Sequence, residues 1–253
     1  MGSISQKPLH IAILINTFPS PLQLHTITSF SNILKAVSPS AKVTFFDPIE
    51  KQSYPDLSDK YDAVILSGGT TDINGDNPWV LKMLKFLRRV CSEEGGQTKI
   101  IGICWGHQAL NMALGGTVKM MGEEGPEIGV TTIPLTPLGQ NFFPFTTITT
   151  TSSSLKPVLN MHEFHRRIVA VPALHMQPLA ENHQIFLRSD NRILTFQGHP
   201  EMTTELAKMI LENASEYTEG MDGGALKELK KKMEKESDGV EIWRRVVEWI
   251  GKA

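Results

Sequence analysis

The sequence predicts a three-layer α/β domain with a central, mostly parallel sheet, and two observations predict it. Strand-like and helix-like patterns alternate along the first half of the chain, which is the arrangement of a parallel sheet covered by helices on both faces. The chain has 253 residues, 40% hydrophobic and 21% charged, which is enough apolar material to bury a sizeable core. With no internal repeat and no low-complexity linker, one domain spanning 1–253 is expected. Its core covers about 10–215 and a helical extension covers about 216–253.

The elements follow in order. "HIAILIN" (10–16) reads as a buried first strand. Residues 22–37 carry apolar side chains at Leu24, Ile27, Phe30, Ile33, Leu34 and Val37, a helical spacing. "KVTFFD" (42–47) is a second strand, and "YDAVILSGG" (61–69) a third that ends in a glycine pair. Asn77 suits an N-cap and Pro78 the first helical position, so a helix opens there and runs to about Cys91. "TKIIGI" (98–103) is the fourth strand, and the helix after it stops at Gly115-Gly116. From about 125 to 189 the strands look short and turn-rich, like antiparallel elements beside the main sheet. "RILTFQGHPE" (192–201) is one more strand running into a loop. Two helical stretches close the chain. That at 225–235 is heavily charged and reads as a solvated face, while "VEIWRRVVEWIGK" (240–252) is amphipathic and should dock on the domain.

Composition excludes several functions. A net charge of −2 gives no basic footprint for nucleic acid. No apolar run is long enough to span a bilayer. "MGSISQKPLH" is too short and polar for a signal peptide, and Gln6 stands where a myristoylation site needs Ser or Thr. Two cysteines, Cys91 and Cys104, make no disulfide framework, so a reduced, cytoplasmic setting is expected.

The chemistry concentrates in "KIIGICWGHQALNMALGG" (99–116). A strand meets a helix at Gly102-Ile103-Cys104-Trp105-Gly106, with small residues two places either side of the cysteine. This matches the mechanics of a nucleophile elbow, in which a tight turn lifts its central residue to the top of the sheet. The helix N-terminus beyond Cys104 favours a thiolate and a developing oxyanion. Cys91, inside a helix, reads instead as a buried core thiol. A thiolate nucleophile needs a base and a group to orient that base. "FQGHPE" (196–201) supplies both: Pro200 keeps His199 out of a helix, and in an extended segment His199 and Glu201 face the same side. Glu201 would hold one imidazole nitrogen while the other faces Cys104.

These motifs resemble the class I glutamine amidotransferases, most closely the stand-alone type similar to the glutaminase domain of guanylate (GMP) synthetase. The matching pieces are "LSGG" (66–69), "NPW" (77–79), "GICWGHQALNMALGG" (102–116), "EIGVTTIPLTPLG" (127–139) and "FQGHPE" (196–201), in the family's order. The resemblance implies a flavodoxin-like α/β/α fold and a Cys104–His199–Glu201 triad. It implies an oxyanion hole from the backbone N–H groups of Gly69 and Trp105, with Gly68 and Gln108 facing substrate and His107 structural. No cofactor or metal is expected. The resemblance has one defect. In "MHEFHRRIVAVP" (161–172) His165 takes the family's histidine position, and Arg167 falls where an aspartate pairs with the α-ammonium of glutamine. Arginine cannot accept from an ammonium group. A shifted alignment would let Glu163 substitute, or Arg167 would simply face solvent. The glycine loop departs too, continuing "TTDINGDNP" where many relatives have proline.

Two enzymatic readings follow. One is hydrolysis of glutamine or a γ-glutamyl amide through a thioester, with ammonia passed to a separate synthase or hydrolysis being the whole task. The other keeps the triad for another metabolite, such as an ester, a lactone or a carboxylate drawn by Arg166 or Arg167. A third reading, a non-catalytic relative, fits poorly with Cys104, His199 and Glu201 all being present.

Overall fold

A computed structural model describes residues 7–123, 125–151, 154–214 and 217–252. The chain begins with β1 (His10–Leu14), α1 (Pro21–Val37), β2 (Lys42–Phe46), β3 (Ala63–Leu66), α2 (Pro78–Val90), β4 (Lys99–Ile103) and α3 (Trp105–Ala113). An excursion follows: β5 (Thr117–Met120), β6 (Glu127–Pro134), α4 (Pro137–Phe142), β7 (Thr147–Thr151), β8 (Ser154–His165) and β9 (Arg167–Val171). The chain then returns through β10 (Met176–Pro178), β11 (Ile185–Arg188) and β12 (Ile193–Phe196), and ends in α5 (Thr204–Asn213), α6 (Gly223–Met233) and α7 (Gly239–Ile250).

The main sheet runs in the order β10-β11-β12-β4-β3-β1-β2. Its five strands from β12 to β2 are mutually parallel, and β10 and β11 add an antiparallel edge. Alternate strand residues face opposite layers. Ile11 and Ile13 pack with Phe30 of α1 and Trp243 of α7, whereas Ala12 and Leu14 pack with Met83 of α2 and Leu110 of α3. A helical layer therefore covers each face, as expected. The pairing of Phe196 with Ile103 does most to position the site. It brings the carboxyl ends of β4 and β12 side by side, so Cys104 and the "QGHPE" loop emerge together.

Local signals explain the helix starts. Ser20 accepts from the Gln23 amide ahead of Pro21, and Asn77 accepts from the Trp79 amide ahead of Pro78. Several expectations need correction. Helix α2 ends at Val90, with Cys91 as its C-cap. The apolar runs of β1 and β3 leave the sheet early because Asn16 and Ser67 hydrogen-bond to each other across their ends. Strand β8 has 12 residues and pairs with both β6 and β7, so it is not short. Three helices rather than two close the chain. The unanticipated one, α5, is capped by Thr203, whose hydroxyl accepts from the Leu206 amide, and it buries Leu206, Ala207 and Leu211. Helix α6 is largely exposed apart from Met233, and α7 docks on the core through Ile242, Trp243, Val246 and Trp249. None of the described helices is long and apolar enough to cross a membrane.

Candidate active site

Cys104 sits at the turn between β4 and α3 with φ 48° and ψ −100°. A cysteine in this region costs on the order of 1–3 kcal/mol and persists only where its surroundings enforce it. Here they do. The Cys104 amide donates to Phe196 O at 2.8 Å, tying the turn to β12. A Cβ on Gly102 would lie 2.6 Å from Gly106 O, and one on Gly106 would lie 2.7 Å from Leu66 O. The two glycines let the first turn of α3 press against β3 and β4, which drives Cys104 upward. Its thiol lies 3.7 Å from Phe164 O, at the end of β8.

His199 is pinned from both ends. Its amide donates to His162 O at 2.7 Å, and its Nδ1 lies 2.8 Å from Glu201 Oε1. The ring lines the same cavity as the Cys104 thiol. Ser29 of α1 donates to the Glu201 backbone carbonyl, fixing the loop from below. Burial alone would favour the neutral ring. Glu201 and the Cys104 charge outweigh it and hold the imidazolium well above the usual histidine range. Cys91 has the opposite environment: burial pushes its thiol up to about 12. The structure thus sets one cysteine beside a cation and leaves the other neutral in the core.

The glycine loop closes against this pair. A Cβ on Gly68 would stand 2.7 Å from His199 Cε1, and one on Gly69 would stand 2.4 Å from Asn16 O. Gly68 and Gly69 line the same cavity as Cys104. The first amides of a helix have no intrahelical acceptor, so the Trp105 N–H is available where the oxyanion hole is expected. Its indole donates to Thr71 O at 2.8 Å and stacks on Trp79, anchoring the loop beyond the glycines.

The other expected substrate-binding residues are placed differently. Gln108 does not line the cavity; its amide donates to Arg167 O at 2.9 Å and to Gln197 Oε1 at 3.3 Å. His165 is buried between Glu127, at 2.9 Å, and Glu163, at 3.2 Å. Burial opposes its charge, but the two carboxylates raise it to about 10. Glu163 is fully buried beside Gly198, and burial holds its carboxyl above the usual range. It therefore does not reach the cavity as a substitute for the missing aspartate. One ligand atom from each of these three residues falls within 4.8 Å of the others, but an imidazolium between two carboxylates already accounts for the cluster. Arg167 is also outside the cavity lining, and its Nε pairs with Asp72 Oδ1 at 3.2 Å. His107 is buried, 2.9 Å from Thr195 Oγ1 and stacked on Phe186, and burial drops it to about 3.

The cavity measures about 370 Å³. One end is Cys104, His199, Glu201 and the glycine loop; the rest is mostly apolar, from α1, β8 and α5. Sequence reasoning missed this wall along with α5. It also missed Asn16, whose signal was a lone amide ending an apolar strand, and Asp72, which has no local signal as the partner of Arg167.

A parallel α/β sheet carrying a strained thiol against an imidazole–carboxylate pair defines a class, the elbow-type α/β thiol proteins. Residues 29–215 match the family model described as glutamine amidotransferase class-I, and the chain belongs to that family. It is 34% identical to the glutamine amidotransferase-like protein chyE of Penicillium rubens, over the whole of both chains. It is 24% identical to γ-glutamyl peptidase 4 of Arabidopsis thaliana, over 76% of this chain and 75% of that one. Among solved structures, a glutamine amidotransferase from Thermotoga maritima shares the fold with a TM-score of 0.71 at 16% identity, covering 98% of this chain and all of the other. A putative GMP synthase component from Thermoplasma acidophilum does so with a TM-score of 0.63 at 17% identity, over 96% and 94%.

Proposed function

We propose that the protein is a cysteine-dependent amidohydrolase that cleaves the side-chain amide of a γ-glutamyl compound through a thioester. The observation that carries this reading is Cys104 at φ 48° in one cavity with an imidazole whose Nδ1 lies 2.8 Å from Glu201 Oε1. The thiolate attacks the amide carbonyl, and the oxyanion is received by the Gly69 and Trp105 amides. His199 gives its proton to the leaving nitrogen and then takes one from the water that cleaves the thioester. Glu201 keeps the ring oriented throughout. The family membership and the γ-glutamyl peptidase relatives support amide hydrolysis as the reaction type.

The pairing of Arg167 with Asp72 bears on the substrate. An arginine alone would repel an α-ammonium group, but a pair offers a carboxylate to the ammonium and a guanidinium to the α-carboxylate. Asp72 lies just beyond the glycine loop, and the Arg167 carbonyl is held by Gln108 in the first turns of α3. Such a pair suits a glutamyl head group.

The test is glutamate release from glutamine and from γ-glutamyl amides, with wild type and Cys104→Ala side by side. Cys104→Ala should lose activity by about 10⁶-fold, the scale for removing a nucleophile of this kind. A chloroketone built on a γ-glutamyl group should label Cys104 and spare Cys91 in peptide maps. A near-normal rate in Cys104→Ala overturns the covalent mechanism.

A further inference from the structure

Resting on the γ-glutamyl reading, we infer that the cavity beside His199 is the subsite for the amine side of the scissile amide, and that the amine released carries an apolar substituent rather than being ammonia. The direction comes from the proton. His199 must deliver it to the leaving nitrogen, so the amine departs on the imidazole's flank. The cavity that the ring lines is walled by Leu22 of α1, Phe164 of β8, Leu206, Met209 and Ile210 of α5, and Tyr217. Asp72, Arg167 and Gln108 do not line this space.

Size and polarity both select the occupant. A volume of about 370 Å³ falls in the range of small-molecule sites and far exceeds the roughly 30 Å³ share of one water, which ammonia resembles. Among the described residues lining it, the charged side chains outside the nucleophile are Glu201 and His199, and these two are committed to each other. A zwitterionic head group would lose its hydration there without ionic partners. An alkyl or aryl group would lose only unfavourable contact with water. The steps balance without any further reagent. The Cys104 Sγ–carbon bond forms and the carbon–nitrogen bond breaks, the His199 proton leaves with the nitrogen as a primary amine, and water then releases glutamate and the free thiol.

The experiment is a homologous series, from γ-glutamyl methylamide to γ-glutamyl hexylamide, assayed with the full chain beside free glutamine. The expected kcat/KM rises about three- to four-fold per methylene until the cavity fills, the equivalent of the ~0.8 kcal/mol of a buried CH₂. Ile210→Trp fills the wall and should collapse the hexylamide-to-methylamide ratio at least ten-fold; Met209→Glu, on the same half-exposed helix face, should do so by making the wall polar. Either variant suffices if the other fails to fold. A flat series with Cys104-dependent glutamate release overturns this inference and leaves the proposed function standing. No cleavage of any γ-glutamyl amide overturns both. Faster turnover of hexanoyl methylamide than of γ-glutamyl hexylamide also overturns it, because the apolar group would then lie on the acyl side.

Discussion

At the scale of single residues, the site turns on two cysteines with opposite electrostatic surroundings. Cys104 shares its cavity with an imidazole that stays charged, while burial raises the Cys91 thiol to about 12. The charge on His199 depends on Glu201, whose Oε1 is 2.8 Å away. Glu201→Gln should therefore lower the His199 pKa as well as the rate, and a ¹H–¹⁵N titration of the ring would read the first effect directly. The rate loss should be about 10⁴-fold, less than for His199→Ala, because an orienting acid typically contributes less than the base. An unshifted His199 titration in Glu201→Gln would sink this account. Asp72→Asn should raise KM for γ-glutamyl amides about ten-fold with a smaller change in kcat, reflecting one lost charge-assisted hydrogen bond. Equal effects on both constants would place Asp72 elsewhere in the cycle. The elbow and the His-Pro-Glu segment were legible in the sequence because each is a local pattern. The fates of Arg167 and Gln108 were not. Arg167 pairs with Asp72 and Gln108 binds the Arg167 carbonyl, contacts between segments far apart in the chain.

Between residues and whole fold, α3 is the element that presents the nucleophile. Alanine in place of a helical glycine ordinarily stabilises by roughly 0.5–1 kcal/mol. At Gly106 a Cβ would lie 2.7 Å from both Leu66 O and Leu66 Cβ, against backbone that cannot rotate away. Overpacking typically costs about 1–3 kcal/mol, so the clash should win. Gly106→Ala is thus expected to lower the urea midpoint and to reduce turnover by displacing Cys104. A stabilised variant with full activity would show that the first turn has slack the distances deny. Helix α5 shows how an element escapes a sequence reading. Its Thr203 cap and apolar residues Leu206, Ile210 and Leu211 are a fair helical signal. Yet α5 builds much of the cavity that sets substrate size, because its apolar face is shared between the small cluster around Met233 and the site.

Across the whole molecule, the buried histidines divide into two groups, and their balance sets how stability depends on pH. Burial depresses His107 to about 3 and His162 to about 4, against an ordinary 6.5. These two stay neutral in the folded chain while the unfolded chain takes up protons, so stability falls as pH drops below about 6.5. His165 behaves oppositely. Glu127 and Glu163 overcome its burial and raise it to about 10, so its contribution is complete below about 6.5 and is lost as pH climbs toward 10. His199, also raised, adds to the same alkaline loss. Cys91 joins only above its ordinary 9.0. Stability should therefore peak near pH 6.5, with an acid limb owed to His107 and His162 and an alkaline limb that starts well before Cys91 titrates. Removing His165 alone would strand the buried Glu163 carboxylate, which typically costs about 3–5 kcal/mol. The cleaner probe is His165→Gln combined with Glu163→Gln, which replaces the pair with neutral amides of similar shape. Urea midpoints between pH 5 and 9 would decide the matter. The double variant should lose much of the decline above pH 7 and keep the decline below 6.5. An alkaline limb that survives intact would mean that His165 does not hold its charge in the folded chain.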